Sequence, residues 1–399
     1  MQILYISALS SKKIIDEIYL KTKRDPGFAV QKFTRLMVDG FIANNASVIA
    51  LSVPPISGTM DSDIFINLKD DEENGVKYKY IPFINFPILK HICVVLYTFV
   101  YVLFWGLKNR ATKCIICDVL NVSASSGALL ASKINRVTSL GVVTDIFNLM
   151  VNNNNNLTKK IIYKLANIIH DIYITSFNKY VILTQQMNEV VNPKGKPYIV
   201  VEGICDVQIL NSCDNKDIEK DIPCTVLYAG GLYEKYGLKK LVDAFLLANI
   251  PNAKLVIYGD GPYVSQLKEI SDRALNVEYR GVKPNSEVVQ AELRATILVN
   301  PRPTSEEFTK YSFPSKNMEY MATGTPVLTT RLPGMPVDYY PYVYIIDEES
   351  LDGYASALKQ TMMLSQDDLM HYGKKAKDFV LKEKNNKKQT ERILKLIKR

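Results

Sequence analysis

Short runs rich in Val, Ile and Leu recur along this chain, separated for the most part by segments whose apolar residues fall at helical spacing. Strand-like runs occupy 1–7, 47–53, 113–121, 140–145, 180–184 and 199–202, then 225–229, 254–258, 277–281, 297–300 and 327–330. Strands of this composition suit a sheet covered on both faces, and the intervening helices supply the crossovers that parallel pairing needs. The pattern predicts an α/β architecture of two Rossmann-like, doubly wound parallel-sheet domains facing across a cleft. A length of 399 residues agrees, since one core of ordinary size does not absorb it and two of about 200 residues do. The rhythm fails over 207–222, which places a linker there. The expected division is an acceptor-side domain at 1–206, a nucleotide-side domain at 223–373 and a basic helix at 374–399.

The stretch 313–330, FPSKNMEYMATGTPVLTT, concentrates the most chemistry. Pro314 and Ser315 read as a helix entry with the Ser315 hydroxyl as N-cap, Gly324 and Pro326 as its stop, and 327–330 as a buried strand. Backbone N–H groups at that entry, with the Lys316 ammonium beside them, form an anion site. Glu319 lies on the same helix face as Ser315, and a carboxylate there can accept two hydrogen bonds from a ribose diol. Diphosphate at the helix start and ribose one turn further on make a nucleotide-shaped site.

Two other places fit such a site. Gly230 and Gly231 end the 225–229 strand and lead through Lys235 toward a helix, so backbone and cation can meet a phosphate. Strand–Gly–helix turns are common in α/β folds, so this signal is weak alone. Thr144 and Asp145 close the 140–145 strand, at the end that faces the ligand crevice of a parallel sheet. Asp145 reads equally as a site residue or as a turn or N-cap carboxylate. Asn152 to Asn156 read as a loop next to that crevice. Asp61-Ser62-Asp63 has the spacing of a metal-holding pair, but it lies within 57–77, which reads as a polar loop, so chance is the better reading. His91, His170 and His371 fall in or beside helical stretches, and none reads as a base.

Charge and cysteine use exclude several classes. The net charge is +8, and 374–399 alone carries eleven Lys and Arg against three Asp and Glu, the whole surplus. A nucleic-acid-binding body would spread its basic face over the fold, so no nucleic-acid partner is expected. The basic tail, with Ile393, Leu394, Leu396 and Ile397, reads either as a helix touching an anionic membrane or as one packing on the body. Cys114 and Cys117 form a CxxC with no second pair, which reads as buried thiols in a reducing compartment rather than a metal or redox site. The sequence starts directly with a strand, and no cleavable signal is expected. The run 92–107 is uncharged but shorter than the about 20 residues a bilayer span needs. It reads first as a core helix, then as a helix partly dipping into a membrane, and last as a span.

The order of motifs in the second half, YAGGLYEKYGLKKLVDAF, LVIYGDGP, VEYRG and KYSFPSKNMEYMATGTPVL, resembles the retaining glycosyltransferases of family 4, which have the GT-B fold. Glu202 to Asp206 resembles the segment that closes the acceptor domain there, and Gln31-Lys32-Phe33 and Val143-Thr144-Asp145 resemble bacterial capsule and exopolysaccharide transferases. The resemblance implies transfer of a sugar from a nucleotide diphosphate sugar, expected to be a UDP-sugar, to a hydroxyl of a lipid-linked surface glycan. It implies retention, no metal and no cofactor, and a cytoplasmic chain in peripheral contact with the inner membrane face. It makes Lys235 a diphosphate contact and Glu319 the ribose contact, and sets Pro314, Ser315 and Lys316 near phosphates or sugar. The loop of Arg280, Gly281 and Val282 would hold the base, and Gly334 would sit near the donor sugar. The chain departs from the pattern twice: Gly231 stands where Arg is usual, and Tyr311 where a Glu is usual. Lys316 or Arg302 could replace the first, and Glu306 or Glu307 the second. A nucleotide-binding scaffold without turnover and a nucleotide-sugar epimerase of the same architecture stay open as alternatives.

Overall fold

A computed structural model describes residues 1–56, 63–108, 112–146, 171–207 and 219–399. Asp61 and Ser62, Asn152 to Asn156, His170 and most of the 207–222 linker lie outside the described residues. The chain divides into two compact units, Met1–Ile204 with Asn386–Arg399, and Cys205–Asn385.

The N-terminal unit is built on one sheet, with strands β1 (Gln2–Ser7), β2 (Ser47–Ser52), β4 (Asp71–Glu73), β5 (Val76–Tyr80), β7 (Lys113–Asp118), β8 (Thr138–Val143), β9 (Lys179–Ile182) and β10 (Tyr198–Val200). Their order is β10-β9-β8-β7-β1-β2-β5-β4, parallel except for the β4–β5 pair. A two-stranded pair, β3 (Phe65–Ile66) with β6 (Phe83–Ile84), lies outside it. Near-continuous burial of β1, β7 and β8 fits a sheet covered on both faces. The expected polar loop at 57–77 is corrected in its later part. Asn74 and Gly75 take positive φ (52° and 77°) and turn β4 back into β5 as a tight hairpin, an Asn-Gly signal that the acidic composition had masked. Cys114 and Cys117 are free and buried on β7, and their odd spacing along a strand turns them to opposite faces.

Two further corrections concern helices. The apolar run belongs to the 21-residue helix Pro87–Leu107, of which only Val94, Thr98 and Val102 are buried. It is therefore not a core helix: one narrow stripe docks on the Val122–Asn135 helix. The basic tail is also not one helix. Gln366–Glu383 stays with the C-terminal unit, and Asn386–Lys398 returns to the N-terminal one. There Ile393, Leu394, Leu396 and Ile397 are buried, Asn44 donates to Lys387 O (2.8 Å) and Lys179 to Leu396 O (2.8 Å). The packing alternative accounts for this helix; its apolar residues are already covered.

The C-terminal unit has six parallel strands, β11 (Cys224–Ala229), β12 (Ala253–Tyr258), β13 (Val277–Gly281), β14 (Ile297–Asn300), β15 (Val327–Thr330) and β16 (Tyr344–Ile346). Their order, β13-β12-β11-β14-β15-β16, reverses direction between β11 and β14. Crossovers leave these two strands on opposite sides of the sheet, which opens a crevice at their carboxyl ends. Gly230, Arg302 and the Ser315–Thr323 helix all follow from that edge.

Candidate active site

The floor of the site is glycine backbone. At the end of β11, Gly230 has φ +148°, and a Cβ on it would lie 1.4 Å from Lys316 Nζ. A Cβ on Gly259, at the end of β12, would lie 1.8 Å from the Gly230 carbonyl oxygen. Gly230 N–H donates to Tyr258 O (2.9 Å) and Gly259 N–H to Gly281 O (3.0 Å), so three neighbouring strand ends are stitched together by main chain. Only glycine allows this approach, and it leaves space above β11 for a side chain from elsewhere.

That side chain is Lys316. The Ser315–Thr323 helix starts one residue earlier than expected: Pro314 is the N-cap, Ser315 is already helical, and no side chain caps the turn. This corrects the assignment of the Ser315 hydroxyl, because the fixed φ of Pro314 already suits the entry position. Gly324 (φ 82°) ends the helix as expected. Lys316 reaches back over Gly230, 3.3 Å from the Tyr228 hydroxyl and 4.6 Å from the centroid of its ring. Burial lowers its pKa to about 8, with Arg302 adding repulsion and Glu319 and Glu292 opposing it.

Arg302, just beyond β14, stands over the rings of Tyr236 (4.9 Å) and Phe308 (5.3 Å). Burial lowers its pKa as well, and its Nε is buried without a hydrogen-bond partner among the described residues. Lys235, exposed on the 3₁₀ turn Glu234–Tyr236, lies 5.5 Å from Tyr236 and 5.9 Å from Phe308. Among the described residues none of these three cations has a carboxylate within ion-pair distance. Lys235 and Arg302 share the Tyr236 and Phe308 rings, and Arg302 and Lys316, both drawn out of water, repel each other, an arrangement that favours an anion beside them.

Two buried side chains hold this arrangement, and neither was singled out from the sequence. The Tyr320 hydroxyl accepts from Ala229 N–H (2.8 Å) and donates to Ala229 O (3.1 Å), which fixes the start of the glycine turn. The Asn317 carbonyl oxygen accepts from Asn300 Nδ2 (2.7 Å), which ties the helix start to the end of β14. Their only sequence signal is position: both lie on the inward face of a helix whose outward face carries Ser315 and Glu319. Glu319 is exposed, one turn beyond the helix start.

Gly281 (φ +71°) spends its carbonyl on Gly259, while Val282 is 71% exposed. Arg280 pairs with Glu278 beside a cavity of about 400 Å³ lined by Tyr258, Arg280, Lys283, Glu287 and Arg294 among others. Tyr258, which lines this cavity, also gives its main-chain carbonyl to Gly230 N–H, so the cavity lies beside the β12 end of the glycine floor. Gly334 is buried and its N–H donates to Thr309 O (3.0 Å), so it braces the turn that presents Phe308 and has no amide left for a sugar. Gly231 carries no charge, but its carbonyl accepts from the Tyr228 hydroxyl (2.8 Å). Glu306 is half-buried and Glu307 exposed on the same turn as Phe308. Asp145 belongs to the N-terminal unit, exposed just past β8, where desolvation raises its pKa. No metal-holding group of three or more His, Cys, Asp or Glu occurs among the described residues.

Residues 214–379 match the family described as Glycosyl transferases group 1. No curated protein matches the chain. Among solved structures, it resembles a glycosyltransferase from Rickettsia africae (14% identity, TM-score 0.65, covering 100% of this chain and 97% of that one). It also resembles HepE of Anabaena in complex with UDP (14%, 0.62, 100% of both). A third likeness is sucrose-phosphate synthase of Thermosynechococcus elongatus (13%, 0.62, 100% and 98%). The fold is GT-B, and the match to the group 1 glycosyltransferase model lies within the C-terminal unit.

Proposed function

We propose that this chain, with its group 1 domain on a GT-B fold, transfers a sugar from a UDP-sugar to a hydroxyl of a growing, lipid-linked surface glycan, with anomeric configuration retained. The observation that carries the reading is the cluster of Lys235, Arg302 and Lys316 above the Gly230 turn. Departure of the sugar leaves negative charge on the diphosphate, and preorganised cations and helix N–H groups stabilise that charge as it develops. Arg302 takes the part of the arginine that Gly231 replaces. Glu319 accepts from the ribose diol, and the cavity beside Arg280, Gly281 and Val282 holds the base. Gly231 and Ser315 offer their N–H groups to the phosphates, Gly230 and Pro314 shape the two turns that present them, and Gly334 acts through the Phe308 turn.

The bond from the anomeric carbon to the diphosphate oxygen breaks as the acceptor oxygen approaches from the same face. The proton of the acceptor hydroxyl passes to the leaving phosphate oxygen, so no carboxylate nucleophile is required, unlike in most glycoside hydrolases. Asp145 is the acceptor-side group in this scheme, and cationic side chains meet the charge that a metal would otherwise meet. A lipid-linked acceptor would set the chain at the inner face of the cell membrane.

A screen of UDP-sugars with membrane extract as acceptor tests the reading. The expected result is UDP release that depends on acceptor, with an α-donor giving an α-linked product by NMR. An inverted linkage would remove the same-face step. Donor binding with no turnover would make the chain a binding scaffold, and an epimerised sugar formed without acceptor would make it an epimerase.

A further inference from the structure

The helix Pro87–Leu107 presents a face that the N-terminal unit does not use. Its buried stripe, Val94, Thr98 and Val102, lies on the Val122–Asn135 helix, where Gly127 lets the main chain come close: a Cβ there would be 2.4 Å from Val95 O. Further along, Asn135 Nδ2 donates to Val102 O (3.2 Å) and Leu103 O (3.0 Å), and Lys113 Nζ to Trp105 O (2.6 Å) and Gly106 O (3.0 Å). The helix is held along its length, and β6 and β7 flank its two ends within the same unit. Such a helix lies flat on its unit and does not thread a bilayer.

Opposite the docked stripe runs a ridge of exposed side chains, Ile88, Ile92, Leu96, Val100, Phe104 and Leu107, between 48% and 74% exposed. Steps of four residues, with a last step of three, put them on one line. An offset of two residues from Val94, Thr98 and Val102 turns that line about 200° away from the docked side. Tyr97, Tyr101 and Trp105 form one flank, lining a groove of about 340 Å³ with Val100 and Phe104, and the two tyrosine rings stack at 6.2 Å. Amphipathic rings of this kind suit the level where acyl chains meet headgroups.

Charge names the occupant. Residues 84–144 contain six Lys and Arg and a single acid, Asp118, which is buried on β7, and Asp70, which approaches the Tyr97–Tyr101 flank from outside this span, is paired with Lys79. Lys108, Lys133 and Arg136 are exposed at the end of the helix pair. A convex ridge of hydrocarbon side chains, rimmed by cations, fits acyl chains beneath anionic headgroups.

We propose that this ridge docks the chain on an anionic lipid surface, with Leu96, Val100 and Phe104 entering the acyl region and Lys108, Lys133 and Arg136 meeting lipid phosphates. The proposal does not rest on glycosyl transfer, because vesicle binding is measured without donor or acceptor. Trp105 is the only tryptophan and serves as reporter. The full chain is mixed with vesicles of phosphatidylglycerol and phosphatidylcholine, or of phosphatidylcholine alone, and followed by co-sedimentation and Trp emission.

The expected result is co-sedimentation with anionic vesicles, weakened by salt, with a blue shift of Trp105. Leu96→Glu with Phe104→Glu lowers it at least about tenfold, and Lys133→Glu with Arg136→Glu lowers it on anionic vesicles only. These side chains are exposed, so thermal melts stay unchanged. No binding by the native chain, or binding that survives Leu96→Glu with Phe104→Glu, overturns the proposal. A dimer that these two substitutions dissolve, with no vesicle binding, overturns it in favour of a second copy.

Discussion

Lys316→Met lowers kcat/KM for the UDP-sugar by about 10²–10³, roughly 2.7–4 kcal/mol of transition-state stabilisation, while the melting temperature holds or rises. The ammonium occupies the space above Gly230 that only a missing Cβ provides, and in the proposed reaction it faces the charge of the departing diphosphate. It is held there at a cost in stability, being largely out of water and beside Arg302. An apolar side chain of similar length relieves that repulsion. The pH dependence has a definite sign. Burial lowers the pKa from its ordinary 10.5 to about 8, so the free protein loses this charge as pH rises through that value. Donor capture, which needs the protonated form, falls with it, and kcat/KM has an alkaline limb near pH 8. The limb disappears in Lys316→Met. Its persistence there would assign it to another group.

Glu319→Ala weakens donor binding and lowers kcat/KM by about 10², because the proposed complex then loses two charge-assisted hydrogen bonds to the ribose diol. The exposed position of Glu319 makes a collapse of the fold an inadequate explanation for such a loss, and a thermal melt checks this. A donor lacking the ribose 2′-hydroxyl separates the assignment from a general electrostatic role. The native chain discriminates against the deoxy donor, and Glu319→Ala treats the two alike. Equal discrimination by both proteins would remove Glu319 from the ribose.

Much of this site was legible in the residues themselves. The glycine turn, the Gly324 stop and the position of Glu319 follow from local rules of turn and cap, which need no knowledge of neighbours, whereas the Ser315 cap gives way to Pro314. Arg302 was seen only as a spare cation, since its stacking on Tyr236 depends on bringing together residues far apart in the chain. Tyr320 and Asn317 carry no signal of their own in the sequence, and their hydrogen bonds to Ala229 and Asn300 exist only once β11 and β14 are adjacent. The helix Pro87–Leu107 shows the converse limit. Apolar composition announces that a face must be covered, but not whether protein covers it, and here protein covers one stripe. The tail was open for the same reason, and the return of Asn386–Lys398 to the Phe28–Ala43 helix decides it.

The most direct test is calorimetric titration of the full chain with UDP, UMP and uridine at two salt concentrations. The expected result is tighter binding with each phosphate, an advantage that salt erodes, and its loss when Lys235→Ala and Arg302→Ala are combined. Equal affinity for UDP and uridine, or an advantage for UDP that survives both substitutions, would contradict a diphosphate grip by these cations.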